Sequence, residues 1–230
     1  MLKLLLLTGM IAWAQGVRAG EESVYDFLWL DPDKAVYVLQ NKIHKKENSL
    51  YVDVGYLMNL TSAFQDTQGY AVKAGWYFHE EWAIEAMYLG YDNRDNDNFK
   101  NVQLINASVP FVRRHVSTAG LGVVWSPFYG KINTFNSIVY FDWSFGLGLA
   151  QVTTESNLKS VRSATAANTY DTENNTGLVT KSAVKFHINQ NWHVGVEWIG
   201  TRYMAPGPKN PKQDKMRTNN DLIFQIGWSY

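Results

Sequence analysis

In "RRHVS", residues 113–117, a histidine and a serine stand two positions apart, His115 and Ser117. On an extended strand that spacing puts both side chains on one face. A histidine so placed can serve as base toward a serine nucleophile. Such a pair also needs a third group to orient the imidazole, and the sequence offers no compelling one. The other histidines are worse placed for the same chemistry. His79, His187 and His193 flank tight turns, and His44 precedes the patterned part of the chain. "DNRDNDN", Asp92 to Asn98, supplies oxygen ligands of the kind calcium takes, but it lacks the EF-hand spacing and reads as a solvated loop tip. No catalytic residue, metal or cofactor is assigned.

A different set of chemistry-bearing residues is more regular. Asp53, Lys73, Glu85, Asp142, Lys185 and Glu197 each sit inside an apolar stretch, at a position whose neighbours in sequence are apolar. Charge buried without a partner is costly. What these six do therefore depends on the elements that carry them.

From Ser49 onward the apolar period is two, the signature of strands. "SLYVDVGYLMNL" places Leu50, Val52, Val54, Tyr56 and Met58 on one face. "GYAVKAGWYF", "WAIEAMYLGY", "AGLGVVWSP", "IVYFDWSFGLGLA", "SAVKFHI", "WHVGVEWIG" and the closing "LIFQIGWSY" repeat the pattern, making eight strands. The connectors alternate. His79–Glu81, Pro127–Lys131 and Asn189–Asn191 are short, and the second of these, "PFYGK", reads as a compact turn that runs on a few residues. Asn59–Gly69, Asp92–Ser117, Thr153–Gly177 and Tyr203–Asn219 are longer and polar. An even-numbered meander with short turns at one end and long loops at the other predicts an all-β fold, an eight-stranded antiparallel up-and-down transmembrane β-barrel over residues 49–230.

In that barrel the bulky apolar face looks out at lipid, and the glycines and charges look in. Aromatic placement agrees. Trp76, Phe78, Trp82, Trp125, Trp192, Trp228 and Tyr230 lie by the short turns, and Tyr56, Tyr70, Tyr88 and Trp198 near the long loops. Two such belts match the two membrane interfaces. The interior charges alternate in sign, Asp53, Lys73 and Glu85 on the first three strands, then Asp142, Lys185 and Glu197 on the fifth to seventh. Cross-strand and diagonal neighbours can pair at that spacing. Two interior salt-bridge clusters plugging the lumen are expected, with charges solvated by trapped water as the alternative.

Composition sets the outer limits. Of 230 residues 14% are aromatic and only 18% charged, yet mean hydropathy is −0.27. Beyond residue 20 no run approaches the roughly 20 apolar residues of a helical span. Net charge is zero, which favours no nucleic-acid partner. Cysteine is absent, so the fold holds together without disulfides. The first nineteen residues carry Lys3, an apolar core from Leu4 to Ala14 and small residues near Ala19, and read as a secretory signal peptide. Residues 20–48 form an N-terminal periplasmic segment. Phe27, Leu28, Trp29, Leu30, Val36, Val38 and Leu39 make it too apolar to hang free, so it is expected to pack under the barrel floor or against a second copy. Ala74, Ala86 and Gly90 form a smooth lipid-facing patch through which copies can approach closely, hence an expected homo-oligomer, weighed equally with a monomer.

The closing strand, with Phe224, Ile226, Trp228 and Tyr230 on one face, resembles the C-terminal targeting strand by which the outer-membrane assembly machinery recognises its clients; most members end in Phe, and this chain ends in Tyr. "AVYVLQNKIHKKENSLYVDVGY", "PFYGK" and "FDWSFGLGLA" resemble the small outer-membrane β-barrels of myxobacteria and predatory Gram-negative relatives. From about Ala35 to Tyr230 the architecture is similar to the transmembrane barrel of outer-membrane protein A, without its peptidoglycan-binding domain. The resemblance implies a Gram-negative outer-membrane location, with outer-membrane lipids and the assembly machinery as partners. It implies no settled activity. The leading expectation is a non-enzymatic protein of envelope integrity or surface interaction. The alternatives are a lipid-modifying enzyme, since the His115–Ser117 spacing is similar to the His–x–Ser of lipid A deacylases, and a narrow channel. A secreted soluble β-sandwich is a more distant possibility.

Overall fold

The structure, a computed structural model, describes residues 42–106, 108–134, 137–163, 168–208 and 213–230. The expected signal peptide and the apolar stretch from Phe27 to Leu39 lie outside them. Eight strands run in chain order: β1 (Leu50–Asn59), β2 (Gln65–His79), β3 (Trp82–Asp95), β4 (Arg113–Thr134), β5 (Ser137–Ser156), β6 (Asp171–His187), β7 (Trp192–Pro206) and β8 (Asp214–Ser229). Each pairs antiparallel with its sequence neighbours, and β8 returns to β1, so the sheet closes on itself. The last rung is double. Leu50 N–H donates to the Tyr230 carbonyl at 2.9 Å, and Tyr230 N–H to the Leu50 carbonyl at 2.8 Å.

Closure explains why the alternation in sequence is so clean. With no edge left, every residue faces either out or in. On β1, Leu50, Val52, Val54, Tyr56 and Met58 are exposed, while Tyr51, Asp53 and Leu57 are buried. The outward set continues round the barrel, through Ile84, Leu121, Leu147 and Ile226. The short-turn end is ringed by aromatics in contact: Trp82 stacks on Trp125 at 5.9 Å, Trp228 on Tyr230 at 5.8 Å, and Phe128 lies 5.9 Å from Trp143. Tyr70 and Tyr88, 6.1 Å apart, belong to the opposite belt.

The strands are longer than the apolar pattern suggests. β2 begins at Gln65 rather than Tyr70, β3 runs to Asp95, β4 begins at Arg113, β5 runs to Ser156, and β6 begins at Asp171. Above the lipid band both faces meet water, so the ladder continues in sequences such as "DTENNT" that show no apolar period. The long polar loops shrink accordingly. Two short helices sit among them, α1 (Asp97–Asn106) and α2 (Leu158–Ser163). Asn96 caps α1, its Oδ1 accepting Phe99 N–H at 3.1 Å.

"PFYGK" is not a turn. It lies within β4, which continues to Thr134 and pairs there with Ser137. The register shifts between Trp125 and Phe128, so Ser126 and Pro127 form a bulge. Proline has no N–H to give a ladder and is accommodated at such irregularities. The residue that signals a turn here marks a bulge instead, and the β4–β5 hairpin reaches farther on the short-turn side than expected.

Candidate functional site

The interior of the barrel is built in levels, each set by which inward positions of adjacent strands come together. At the short-turn end residues 42–48 cross the mouth. Asn48, at φ 60°, sits third in a tight turn closed by Ser49 N–H on the Lys46 carbonyl (2.9 Å), which feeds the chain into β1. Asparagine tolerates that left-handed conformation. The turn points Lys46 inward. Its Nζ donates to Asp142 Oδ1 at 2.7 Å and to Ser126 Oγ at 2.9 Å. Removal from water pushes the Lys46 ammonium below the ordinary lysine value, and Asp142 pulls it part of the way back. Asp142 Oδ2 also pairs with His187 Nε2 at 2.7 Å, and the His187 ring stacks on His44 at 4.3 Å. Burial lowers the His44 pKa, and the neighbouring His187 lowers it further.

Above this floor lie Tyr51, Tyr77, Ala83 and Val124, in contact as one small apolar cluster. Next comes a charged level in which three lysines and three acids interleave. Lys185 bonds Asp53 (2.7 Å), Lys73 bonds Glu197 (2.6 Å), and Lys181 bonds Glu85 and reaches Glu197 at 3.5 Å. Uncharged groups complete the set. His193 Nε2 meets Asp53 Oδ1 at 2.6 Å, Tyr51 OH donates to Glu85 at 2.6 Å, and Lys73 also donates to Gln225 Oε1. Asp53 and Glu197 are 0% exposed. The six formal charges cancel, so the level as a whole is neutral. Over it Leu57, Ala71, Met87, Leu89, Ala150, Val179, Ile199 and Ile223 make a continuous apolar layer.

The level at the long-loop end is polar again. Asp221 accepts from Asn59 (2.7 Å), Asn219 (2.8 Å) and Tyr91 (2.8 Å). Tyr203 OH lies 3.1 Å from His115 Nε2, and Arg113 holds Glu173 at 2.5 Å.

All six charges picked out in the sequence are buried, but they do not group as their order along the chain suggests. Asp53, Lys73 and Glu85 make no ion pair among themselves but share one level with Lys181, Lys185 and Glu197, and Asp142 pairs with neither Lys185 nor Glu197. Asp53 and Lys73 are directly opposite in the β1–β2 ladder, yet each pairs across the interior with β6 or β7, because tilted strands carry long side chains toward non-neighbours. Asp142 stands directly opposite Lys185 in the β5–β6 ladder, yet its carboxylate turns to Lys46 and His187 in the floor. Lys181, Lys46, Tyr51 and Gln225 were not singled out, and His187 and His193 stood only as turn-flanking histidines. Lys181 had a readable signal, since it shares its strand face with Lys185, four positions on.

His115 and Ser117 do not share a face. The ladder skips Val116, so His115 pairs with Thr154 and turns inward, 7% exposed, while Ser117 pairs with Thr153 on the outer side. The bulge separates the two side chains that a hydrolytic pair would need together. In "DNRDNDN", Asp92 pairs with Arg94 at 3.2 Å and Lys100 with Asp97 at 3.3 Å. No group of three or more acids or histidines suited to a metal forms among the described residues.

Of the smooth patch, Ala74 and Ala86 are exposed and directly opposite each other. Gly90 is buried, because the Tyr70 ring lies over it: a Cβ there would stand 2.6 Å from that ring. Gly90 is a seat for Tyr70 and no part of an open surface. Phe224, Ile226, Trp228 and Tyr230 all project outward, from a strand paired with β7 on one side and β1 on the other.

A closed ladder, an apolar outer band between two aromatic belts and, at the level of that band, charge confined to the inside together define an eight-stranded transmembrane β-barrel of the outer-membrane type. No protein-family model matches the sequence, and neither does any curated protein. Among solved structures the chain is similar to the N-terminal β-barrel domain of Pseudomonas aeruginosa OprF (9% identity, TM-score 0.47, 80% of this chain and 98% of that one). It is similar to the outer membrane protein OprG of the same organism (12%, 0.44, 81% and 97%) and to Neisserial surface protein A (13%, 0.44, 80% and 98%).

Proposed function

We propose that this chain is a non-catalytic, non-conducting barrel of the Gram-negative outer membrane, a rigid support that holds its extracellular rim in place for contacts at the cell surface. The observation that carries the reading is the neutral charged level, Asp53, Lys73, Glu85, Lys181, Lys185 and Glu197, lying directly beneath a layer of apolar side chains. An ion crossing that stack would have to break paired charges and then pass a segment that gives it no ligands. Outer-membrane lipids cover the apolar band. β8, with its outward row ending in Trp228 and Tyr230, is the strand the assembly machinery would take hold of. Self-association through Ala74 and Ala86 belongs to the same reading, narrowed by the loss of Gly90. The separation of His115 from Ser117 weighs against lipid hydrolysis.

Planar-bilayer recording on the purified full chain tests the central point. Rare, unsteady openings are expected. A large, steady single-channel conductance would overturn the plugged interior.

A further inference from the structure

The extracellular mouth holds a cavity of about 130 Å³ bordered by Asn59, Arg113, His115, Tyr203, Arg217 and Asn219. These come from β1, β4, β7 and β8, all on inward positions, so the pocket opens upward from the apolar layer rather than sideways into lipid. Its size suits one small polyatomic ion with a little water, since a water molecule occupies roughly 30 Å³.

The cations around it differ in how they are engaged. Arg113 is matched by Glu173, and Arg114 by Glu155. Arg217 makes no ion pair among the described residues; its guanidinium reaches only the Pro206 carbonyl, at 3.4 Å. Asp221 lies under the pocket with its carboxylate already engaged by Asn59, Asn219 and Tyr91. Three nitrogens at this level, Arg113 Nε, Arg217 Nε and His115 Nδ1, are buried with no partner. His115 is itself more than nine-tenths buried. Guanidinium nitrogens only donate, and leaving a buried donor unmade is costly. Two arginine donors bordering a polar hollow, one of them on a guanidinium that makes no ion pair among the described residues, are what a tetrahedral or planar oxyanion would satisfy.

We propose that this mouth is an oxyanion site, binding a phosphate-type group between Arg113 and Arg217 with His115 and Tyr203 beside it. The group arrives either as a free anion or as the phosphate of an outer-leaflet glycolipid reaching over the rim at Thr61 and Ser62, which also border the cavity. This goes beyond the support role above, and a conducting barrel would not by itself disprove it.

The test uses the full chain folded in non-ionic detergent, with folding checked by the heat-dependent gel shift. Arginine Nε–H resonances are followed as inorganic phosphate is added. Saturable shifts at Arg113 and Arg217, with Arg94 unmoved, are expected. Arg217→Gln should weaken phosphate binding at least tenfold, and Arg202→Gln, on the outer face, should leave it unchanged. A parallel titration compares phosphorylated with dephosphorylated lipopolysaccharide. Binding of only the phosphorylated form, dependent on Arg217 and without response to free phosphate, assigns the group to lipid. No saturable shift at Arg113 or Arg217 with either probe, or equal binding by Arg217→Gln and Arg202→Gln, overturns the proposal.

Discussion

Lys73 stands directly opposite Asp53 in the β1–β2 ladder, yet its ammonium goes to Glu197 on β7, 2.6 Å away, while Asp53 is taken by Lys185 from β6. The preference follows from crowding. Asp53 already holds His193 on one oxygen and Lys185 on the other, and Lys73 turns instead to Glu197 Oε2 and Gln225 Oε1. Each ion is desolvated, so the pair is an interdependent unit.

Lys73→Met should therefore cost about 3–5 kcal/mol, because it leaves the buried Glu197 carboxylate with only the longer contact to Lys181, at 3.5 Å. Lys73→Met with Glu197→Leu should cost markedly less, since it removes both charges. Denaturant unfolding in one fixed detergent, followed by tryptophan fluorescence, reads the difference. Equal losses in the single and double variants would show that the pair does not act as a unit.

Gly227 is an inward position on β8 where no side chain fits. A Cβ there would stand 2.0 Å from Asp53 Oδ1 and 2.2 Å from His193 Nε2. Gly227→Ala should break that hydrogen bond and cost about 1.5–3 kcal/mol. Gly177→Ala, whose nearest neighbour would be 3.1 Å away, should cost less in the same assay. The reverse ranking would contradict the interior packing.

Ala74 and Ala86 leave a shallow place on the lipid face, with Trp76 and Ile84 on the short-turn side and Val72 and Tyr88 on the other. Ala86→Trp fills it. If copies meet there, native mass spectrometry in mild detergent should show the oligomer giving way to monomer. An unchanged mass distribution removes this surface from consideration.

Acid should loosen residues 42–48. Glu80 accepts the amide N–H groups of Lys46 (3.0 Å) and Glu47 (3.1 Å) and pairs with Lys42 (3.2 Å). Partial burial disfavours its ionised form, but these contacts outweigh it and hold the carboxyl below the ordinary glutamate value. A depressed acid stabilises the fold fully above that ordinary value and ceases to do so as pH falls through the depressed one. Hydrogen exchange at the Lys46 and Glu47 amides, corrected for intrinsic rates, should accelerate below about pH 4. Glu80→Gln should abolish that acid dependence, and a variant that keeps it would place the titrating group elsewhere.

The count of strands, the outward face of each and the burial of the six charges could all be read from the sequence, because a closed sheet between lipid and a packed interior enforces a period of two. Three things could not. The polar ends of β3, β5 and β6 carry no contrast between faces. The bulges at Val116 and at Ser126–Pro127 each add residues that shift every later side chain, and nothing local in "RRHVS" marks the first. The partners of Lys73 and Asp53 depend on strand tilt, a property of the ring and not of any one strand. Lys46 was missed for a related reason: its contacts are with β4 and β5, some 80 and 96 positions away.

That separation has a consequence for the order of assembly. Ser126 and Asp142 are brought together only when β4 and β5 have formed, and they lie across from residues 42–48 only when the sheet has curved round far enough to bring β1 beside them. Lys46 is made early and seated late. Its insertion is a mark of a finished barrel, and a half-assembled one would still hold that lysine out in water.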